Sequence, residues 1–249
     1  MHVVVDSLLT KYTRLGKGKS VIVLPGWGND SKGWQSFQHQ LAEDYDVTVI
    51  DLPGFGGTQS PPIAWGLSDY AAFIKAFLKK IDVNPYAIIG HSNGGAIAIR
   101  ALATEQLATE RLILLASAGI RTRYKGRQKV LRLLTKTGKL LTIPLPARAK
   151  KHLRRQVYRS IGSDMLVAEH LQESFKKIVE DDIQADAAKL SVSTLLIYGE
   201  ADDQTPVRYG MQFHELISGS VLEIITGAGH FVQFDRPDEV IPRIKEFVA

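Results

Sequence analysis

Three side chains of this 249-residue chain could together perform nucleophilic acyl transfer. They are a serine, a carboxylate and a histidine, in that chain order. Ser92 sits in Gly90-His91-Ser92-Asn93-Gly94, with Gly95 following. A serine hydroxyl is a weak nucleophile until its geometry is forced and a base lies beside it. A sharp turn that lifts Oγ clear of the backbone meets the first need. Such a turn requires small neighbours, and Gly90, Gly94 and Gly95 supply them. Alone, the pentapeptide could equally be an ordinary glycine-rich turn. Its flanks argue otherwise. Tyr86-Ala87-Ile88-Ile89 is a short apolar run suited to a buried strand, and Ala96 to Ala103 is an Ala/Ile/Leu-rich run suited to a buried helix.

The base is sought among seven histidines. His230 closes Gly227-Ala228-Gly229-His230, just past the apolar run Val221–Ile225. That places it at the C-terminal end of a strand, the edge at which open parallel sheets bind ligands. His2, His39, His152, His170 and His214 lack that setting and read as surface or core residues. His91 adjoins the nucleophile, but a side chain at that point of the turn should point away from Ser92.

The orienting acid should also lie at a strand end. Thr194 to Tyr198 leads into Gly199-Glu200-Ala201-Asp202-Asp203-Gln204-Thr205-Pro206. Asp202 is assigned to hold His230, and Asp203 to cap the helix that Pro206 would start. Ser117-Ala118-Gly119, after the run Arg111–Ala116, contains no carboxylate and cannot supply the acid. The developing oxyanion needs two convergent donors. The Asn93 N–H, directly after the nucleophile, is one. The Trp27 N–H in Pro25-Gly26-Trp27-Gly28-Asn29 is the other, while the Trp27 side chain also suits core packing.

The elements that must position these groups alternate along the chain. Strands are expected at Val21–Leu24, Val47–Ile50, Tyr86–Ile89, Arg111–Ala116, Thr194–Tyr198 and Val221–Ile225, and helices at Asp69–Ile81 and Pro206–Leu216. Strands apolar on both faces and joined by helices indicate a mainly parallel sheet covered on both sides, an α/β fold. Val3 to Leu9 and Tyr12 to Leu15 are expected to add an antiparallel edge. No strand pattern occurs from Arg121 to Ala185, about fifty residues more than a crossover helix needs. A surplus of this size suits a lid, which Pro144 and Pro146 would divide into helical parts. The expected domains are a core of residues 1–120 and 186–249 and a helical lid insert of residues 121–185.

At 45% hydrophobic content the chain can bury one large core, or a core plus a small insert. It has no run of 18 apolar residues, so no membrane span is expected. The opening Met1-His2-Val3-Val4-Val5-Asp6 has neither the basic region nor the long apolar segment of a secretory signal. The absence of cysteine excludes disulfides, thiol catalysis and cysteine-ligated metals. A cytoplasmic protein is expected.

Charge is unevenly spread. Arg121 to Arg159 holds 14 Lys and Arg and no acidic residue, while the rest of the chain holds 17 basic against 26 acidic residues, a balance of −9. The formal +5 is therefore a property of the lid. Apolar runs such as Leu131-Arg132-Leu133-Leu134 and Leu140-Leu141-Thr142-Ile143 interleave with those charges. Such a lid can be simply a solvated basic face. It can also shield an apolar pocket while attracting an anionic lipid surface or an acidic acyl carrier. Nucleic acid is not expected as a partner, because the rest of the surface repels phosphate.

As an ordered set these motifs resemble the α/β-hydrolase fold family, in its cap-bearing, cofactor-free esterase and lipase-like group. Leu24-Pro25-Gly26-Trp27-Gly28 is similar to the family's oxyanion loop, and Asp51-Leu52-Pro53-Gly54-Phe55-Gly56-Gly57-Thr58 to the turn after its next strand. The serine elbow, Gly199 to Asp202 and Gly229-His230 complete the pattern, which runs from Leu24 to Pro237. The opening residues also resemble the carboxylesterases of biotin synthesis that release pimeloyl esters. Pro25 stands where many relatives have His, and Asp235 where many have Glu. The resemblance implies two-step hydrolysis of a small-molecule ester through an acyl-enzyme, with no metal or organic cofactor. A peptidase, lactonase, carbon–carbon bond hydrolase or cofactor-free perhydrolase could use the same residues. So could a ligand receptor of the same fold that turns over slowly.

Overall fold

The computed structural model describes residues 1–121 and 169–249. Among them, the strands β1 (His2–Val5), β2 (Leu8–Leu15), β3 (Ser20–Leu24), β4 (Asp46–Ile50), β5 (Ala87–His91), β6 (Arg111–Leu115), β7 (Ser193–Gly199) and β8 (Val221–Ile225) form one sheet in the order β1-β2-β4-β3-β5-β6-β7-β8. β1, β2 and β4 pair antiparallel, and every pairing from β4 through β3 to β8 is parallel.

The helices of the described residues are α1 (Gln35–Leu41), α2 (Leu67–Lys80), α3 (Asn93–Ala103), α4 (Gln172–Glu180), α5 (Gln184–Ala187), α6 (Val207–Leu216), α7 (Val232–Asp235) and α8 (Pro237–Val248). They cover both faces. The apolar runs of the strands explain this, because successive residues of a strand point to opposite sides and both sides must then be buried. Val21 and Val23 join Val47, Val49, Ile113 and Ile197 under α1 and α8. Ile22 and Leu24 join Ile50, Leu112, Leu114 and Leu196 under α2, α3 and α6. In α2 the buried set Leu67, Tyr70, Ala71, Phe73, Ile74, Phe77 and Leu78 recurs at helical spacing, which makes one continuous apolar stripe.

The leading edge differs from its expected form. Val3 to Leu9 is not one segment, because the chain reverses at Asp6 and Ser7, with φ of 46° and 66°. Val5 then pairs with Leu8, and β2 continues unbroken to Leu15. Two left-handed residues match the twist of the flanking strands, so a two-residue hairpin is the stable solution here.

Residues 122–168 lie outside the described residues, and with them the expected division at Pro144 and Pro146 and most of the basic run. The rest of the expected insert is described and packs on the core. The Trp65 N–H donates to Ser174 Oγ at 2.9 Å, and Lys177 Nζ to the Ala64 carbonyl at 2.7 Å. Arg100 of α3 holds the returning chain, donating to Asp186 at 2.5 Å and to Asp181 at 3.1 Å. Ile183 is fully buried and donates its N–H to the Gly119 carbonyl at 3.0 Å. Among the described residues no helix is long and apolar enough to cross a membrane.

Candidate active site

The elbow forms at the junction of β5 and α3. Ser92 has φ 50° and ψ −117°, a conformation that costs a non-glycine residue about 1–3 kcal/mol. Surrounding hydrogen bonds hold it there. Its N–H donates to the Leu115 carbonyl at 3.0 Å, and its carbonyl accepts from Gly95 and Ala118, both at 3.0 Å. The start of α3 presses on the end of β3: a Cβ at Gly94 would lie 2.0 Å from the Leu24 carbonyl oxygen. A larger residue would have to push the elbow and the end of β3 apart.

The loop after β3 abuts the same elbow. A Cβ at Gly26 would meet His91 Nδ1 at 2.7 Å and Ser92 Cβ at 3.1 Å, so the residue before Trp27 touches the elbow directly. The Asn93 N–H is the first of α3 and has no acceptor within the helix. The Trp27 N–H makes no backbone hydrogen bond among the described residues. The Trp27 ring is buried, with Phe55 edge-on at 4.8 Å and Phe175 of α4 tilted at 5.1 Å. The fully buried Asp51 carboxylate ties this loop to the turn after β4. It accepts the Ser31 N–H at 2.5 Å and the Gly57 N–H at 2.8 Å, with Lys11 Nζ at 3.4 Å.

The loops after β7 and β8 are knitted together. The Glu200 N–H donates to the Ile225 carbonyl at 3.0 Å, and the Ala201 N–H to the Ala228 carbonyl at 2.8 Å. That contact brings His230 Nδ1 to 2.8 Å from Asp202 Oδ2, with both side chains buried. Beside a carboxylate, Nδ1 carries the proton, which leaves the Nε2 lone pair free to act as a base. Burial pushes the Asp202 carboxyl up, but its hydrogen bonds to His230 and Thr205 and the His230 charge outweigh burial and hold it below the usual carboxylate value. Among the described residues the Asp202–His230 half of the set is hydrogen-bonded, and Ser92 Oγ makes no hydrogen bond.

Asp203 does not cap the following helix. α6 begins at Val207 after Pro206, without a side-chain cap, and Asp203 is exposed. Asp202 instead closes the turn ahead of the helix, its Oδ1 accepting the Gln204 N–H at 2.8 Å and the Thr205 N–H at 2.9 Å. Thr205 was not singled out by the sequence. Its hydroxyl lies 2.7 Å from Asp202 Oδ2 and 3.0 Å from His230 Nδ1. The signal available was a hydroxyl residue three positions after the acid. Two other histidines have plain local partners, His214 with Ser220 Oγ at 2.9 Å and His170 with the Gly54 carbonyl at 3.2 Å.

His91 is buried beneath the base. Its Nε2 donates to the His230 carbonyl at 3.0 Å, and its ring lies 4.9 Å from the His230 ring. Desolvation, then the nearby His230 charge, push its pKa down to about 3. The folded protein therefore keeps His91 neutral, whereas the unfolded chain protonates it near its ordinary value of about 6.5. Since the unfolded state binds the extra proton, this contribution is complete above that pH and is lost as the pH falls toward 3. Urea unfolding between pH 4 and 6 should show a slope of stability against pH that is shallower in His91→Gln, by up to one proton. Equal slopes would contradict the burial argument.

Residues 21–243 match the family described as the alpha/beta hydrolase family. The chain belongs to that family. It is 24% identical to a pimeloyl-[acyl-carrier protein] methyl ester esterase of Aliivibrio fischeri, across 94% of this chain and 95% of the relative. It is 25% identical to a 2-hydroxy-6-oxo-6-(2'-aminophenyl)hexa-2,4-dienoic acid hydrolase of Metapseudomonas resinovorans, across 96% and 87%. Among solved structures, an esterase from Exiguobacterium antarcticum superposes with a TM-score of 0.79 at 20% identity, covering 100% of this chain and 98% of that one. That likeness shows the shared fold.

Proposed function

We propose that this alpha/beta hydrolase cleaves a carboxylic ester through an acyl-enzyme. His230 Nε2 takes the proton from Ser92 Oγ as the oxygen attacks the ester carbonyl. The Trp27 and Asn93 N–H groups receive the oxyanion. Collapse of the tetrahedral intermediate expels the alcohol, which takes its proton from His230. Water, activated by the same base, then releases the acid and restores Ser92. Asp202 holds the tautomer and stabilises the imidazolium. The Asp202–His230 hydrogen bond, at the sheet edge that carries the strained Ser92 elbow, is the observation on which this reading rests.

A series of p-nitrophenyl esters of increasing chain length, run on wild type and Ser92→Ala, tests it. Turnover is expected in wild type alone, and the chain-length optimum gives the acyl preference. A second reading, carbon–carbon bond hydrolysis on the same residues, is supported by the Metapseudomonas resinovorans relative. Cleavage of a 2-hydroxy-6-oxo-hexa-2,4-dienoic acid without ester turnover would favour it. A burst with an activated ester followed by negligible steady-state turnover would point to a slow receptor.

The basic run Arg121 to Arg159 and the Aliivibrio fischeri relative, whose name gives an acyl-carrier ester, support an acidic carrier as the anionic partner; an anionic lipid surface is the other candidate. Exposed charges are screened beyond about 8–10 Å at physiological salt. Binding to an acidic carrier or to anionic vesicles should therefore weaken several-fold from low to physiological ionic strength, while hydrolysis of a small neutral ester stays constant. Arg154→Glu with Arg155→Glu should weaken that binding and leave neutral-ester turnover near wild type. If neither target binds at low salt, the charge serves solvation only.

A further inference from the structure

The hydroxyl of Thr205 occupies a position that the serine, base and acid do not explain. It is buried, 2.7 Å from Asp202 Oδ2, 3.0 Å from His230 Nδ1 and 2.9 Å from the Ala116 carbonyl oxygen. The Ala116 backbone is strained to present that oxygen: it has φ 45° at the end of β6, and its N–H donates to the Ile197 carbonyl at 2.8 Å. A non-glycine residue holds such a conformation only where its surroundings over-determine it.

A carboxylate offers about four lone-pair positions. Two Asp202 positions are taken by the Gln204 and Thr205 N–H groups on Oδ1, and a third by His230 Nδ1–H on Oδ2. The Thr205 O–H completes the set on Oδ2. Without it Oδ1 would stay pinned by the two backbone N–H groups, but Oδ2, the oxygen that aims His230, would be held by the Nδ1–H bond alone.

We infer that Thr205 is a positioning residue for the base. Its hydroxyl, whose single proton is shared between Asp202 Oδ2 and the Ala116 carbonyl oxygen, braces the Asp202 carboxylate and so directs His230 Nε2 toward Ser92. This rests on the reading of Ser92, Asp202 and His230 given above. Orientation is what a tightly held orienting network supplies, and a misplacement of about 1 Å can cost on the order of a hundredfold in rate.

Thr205→Val keeps the shape and removes the hydroxyl. With a p-nitrophenyl ester it should lower kcat about 10- to 100-fold and leave KM within about twofold, since binding is untouched. Thr205→Ser should recover most of the loss. The low-field proton signal of His230 Nδ1–H should shift in Thr205→Val and return in Thr205→Ser. In an Asp202→Asn background, Thr205→Val should add little further loss, because the two act as one unit. A kcat within twofold of wild type, equal losses in the Val and Ser variants, or full additivity with Asp202→Asn would overturn the inference. Ser92→Ala separates the two levels. If it abolishes turnover while Thr205→Val is silent, only the Thr205 role falls. If it retains turnover, the serine reading falls and takes the Thr205 role with it.

Discussion

Ser92→Ala is expected to lower ester turnover by about four to six powers of ten and to abolish covalent capture by a fluorophosphonate. The reason is geometric. The φ of 50° at Ser92 is kept by a turn in which Gly94 touches the Leu24 carbonyl and the Ser92 N–H and carbonyl are both bonded. Oγ is thereby held outside the helix that follows it, and Asn93 cannot replace it. Intact-mass analysis should show one adduct on wild type and none on the variant. An adduct that persists in Ser92→Ala would mean that another nucleophile carries the chemistry.

The second large effect is at the base and its acid. His230→Ala should remove nearly all turnover, because members of such a set act as a unit rather than additively. Asp202→Asn should cost about four powers of ten, since an amide facing Nδ1 no longer enforces the tautomer that leaves Nε2 basic. Asp203→Asn should stay within about twofold, because Asp203 is exposed and takes no part in the Asp202–His230 hydrogen bond. Steady-state kinetics, with circular dichroism and melting temperature showing that each variant is folded, makes the comparison. A severe Asp203→Asn beside a mild Asp202→Asn would reverse the choice of acid.

Much of this architecture is present in the sequence itself. Parallel strands buried on both faces read as nearly continuous apolar runs, so Val21–Leu24, Val47–Ile50 and Thr194–Tyr198 stand out, and each lies within a strand. The elbow stands out because close backbone approach tolerates only glycine around a serine. The order Ser92, Asp202, His230 follows from strand ends that are also local features. The sheet was thus determined by short-range pattern, and the candidate residues by their place at its ends.

The tertiary structure alone decided how those ends meet. The bond between His91 and the His230 carbonyl spans 139 residues, and that between Thr205 and the Ala116 carbonyl spans 89. No local periodicity encodes such contacts. Asp202 and Asp203 are neighbours of the same type; the sequence divides partner and cap between them, but the geometry that separates them, and the absence of a cap at Asp203, come from the fold. Asp202 became the partner of His230 because the loops after β7 and β8 are bonded to each other, which turns one carboxylate inward and leaves the other in water. Glycine spacing and apolar runs are properties of a few adjacent residues. The hydrogen-bond set around a buried carboxylate belongs to several loops at once, and it exists only after the sheet has brought them to one edge.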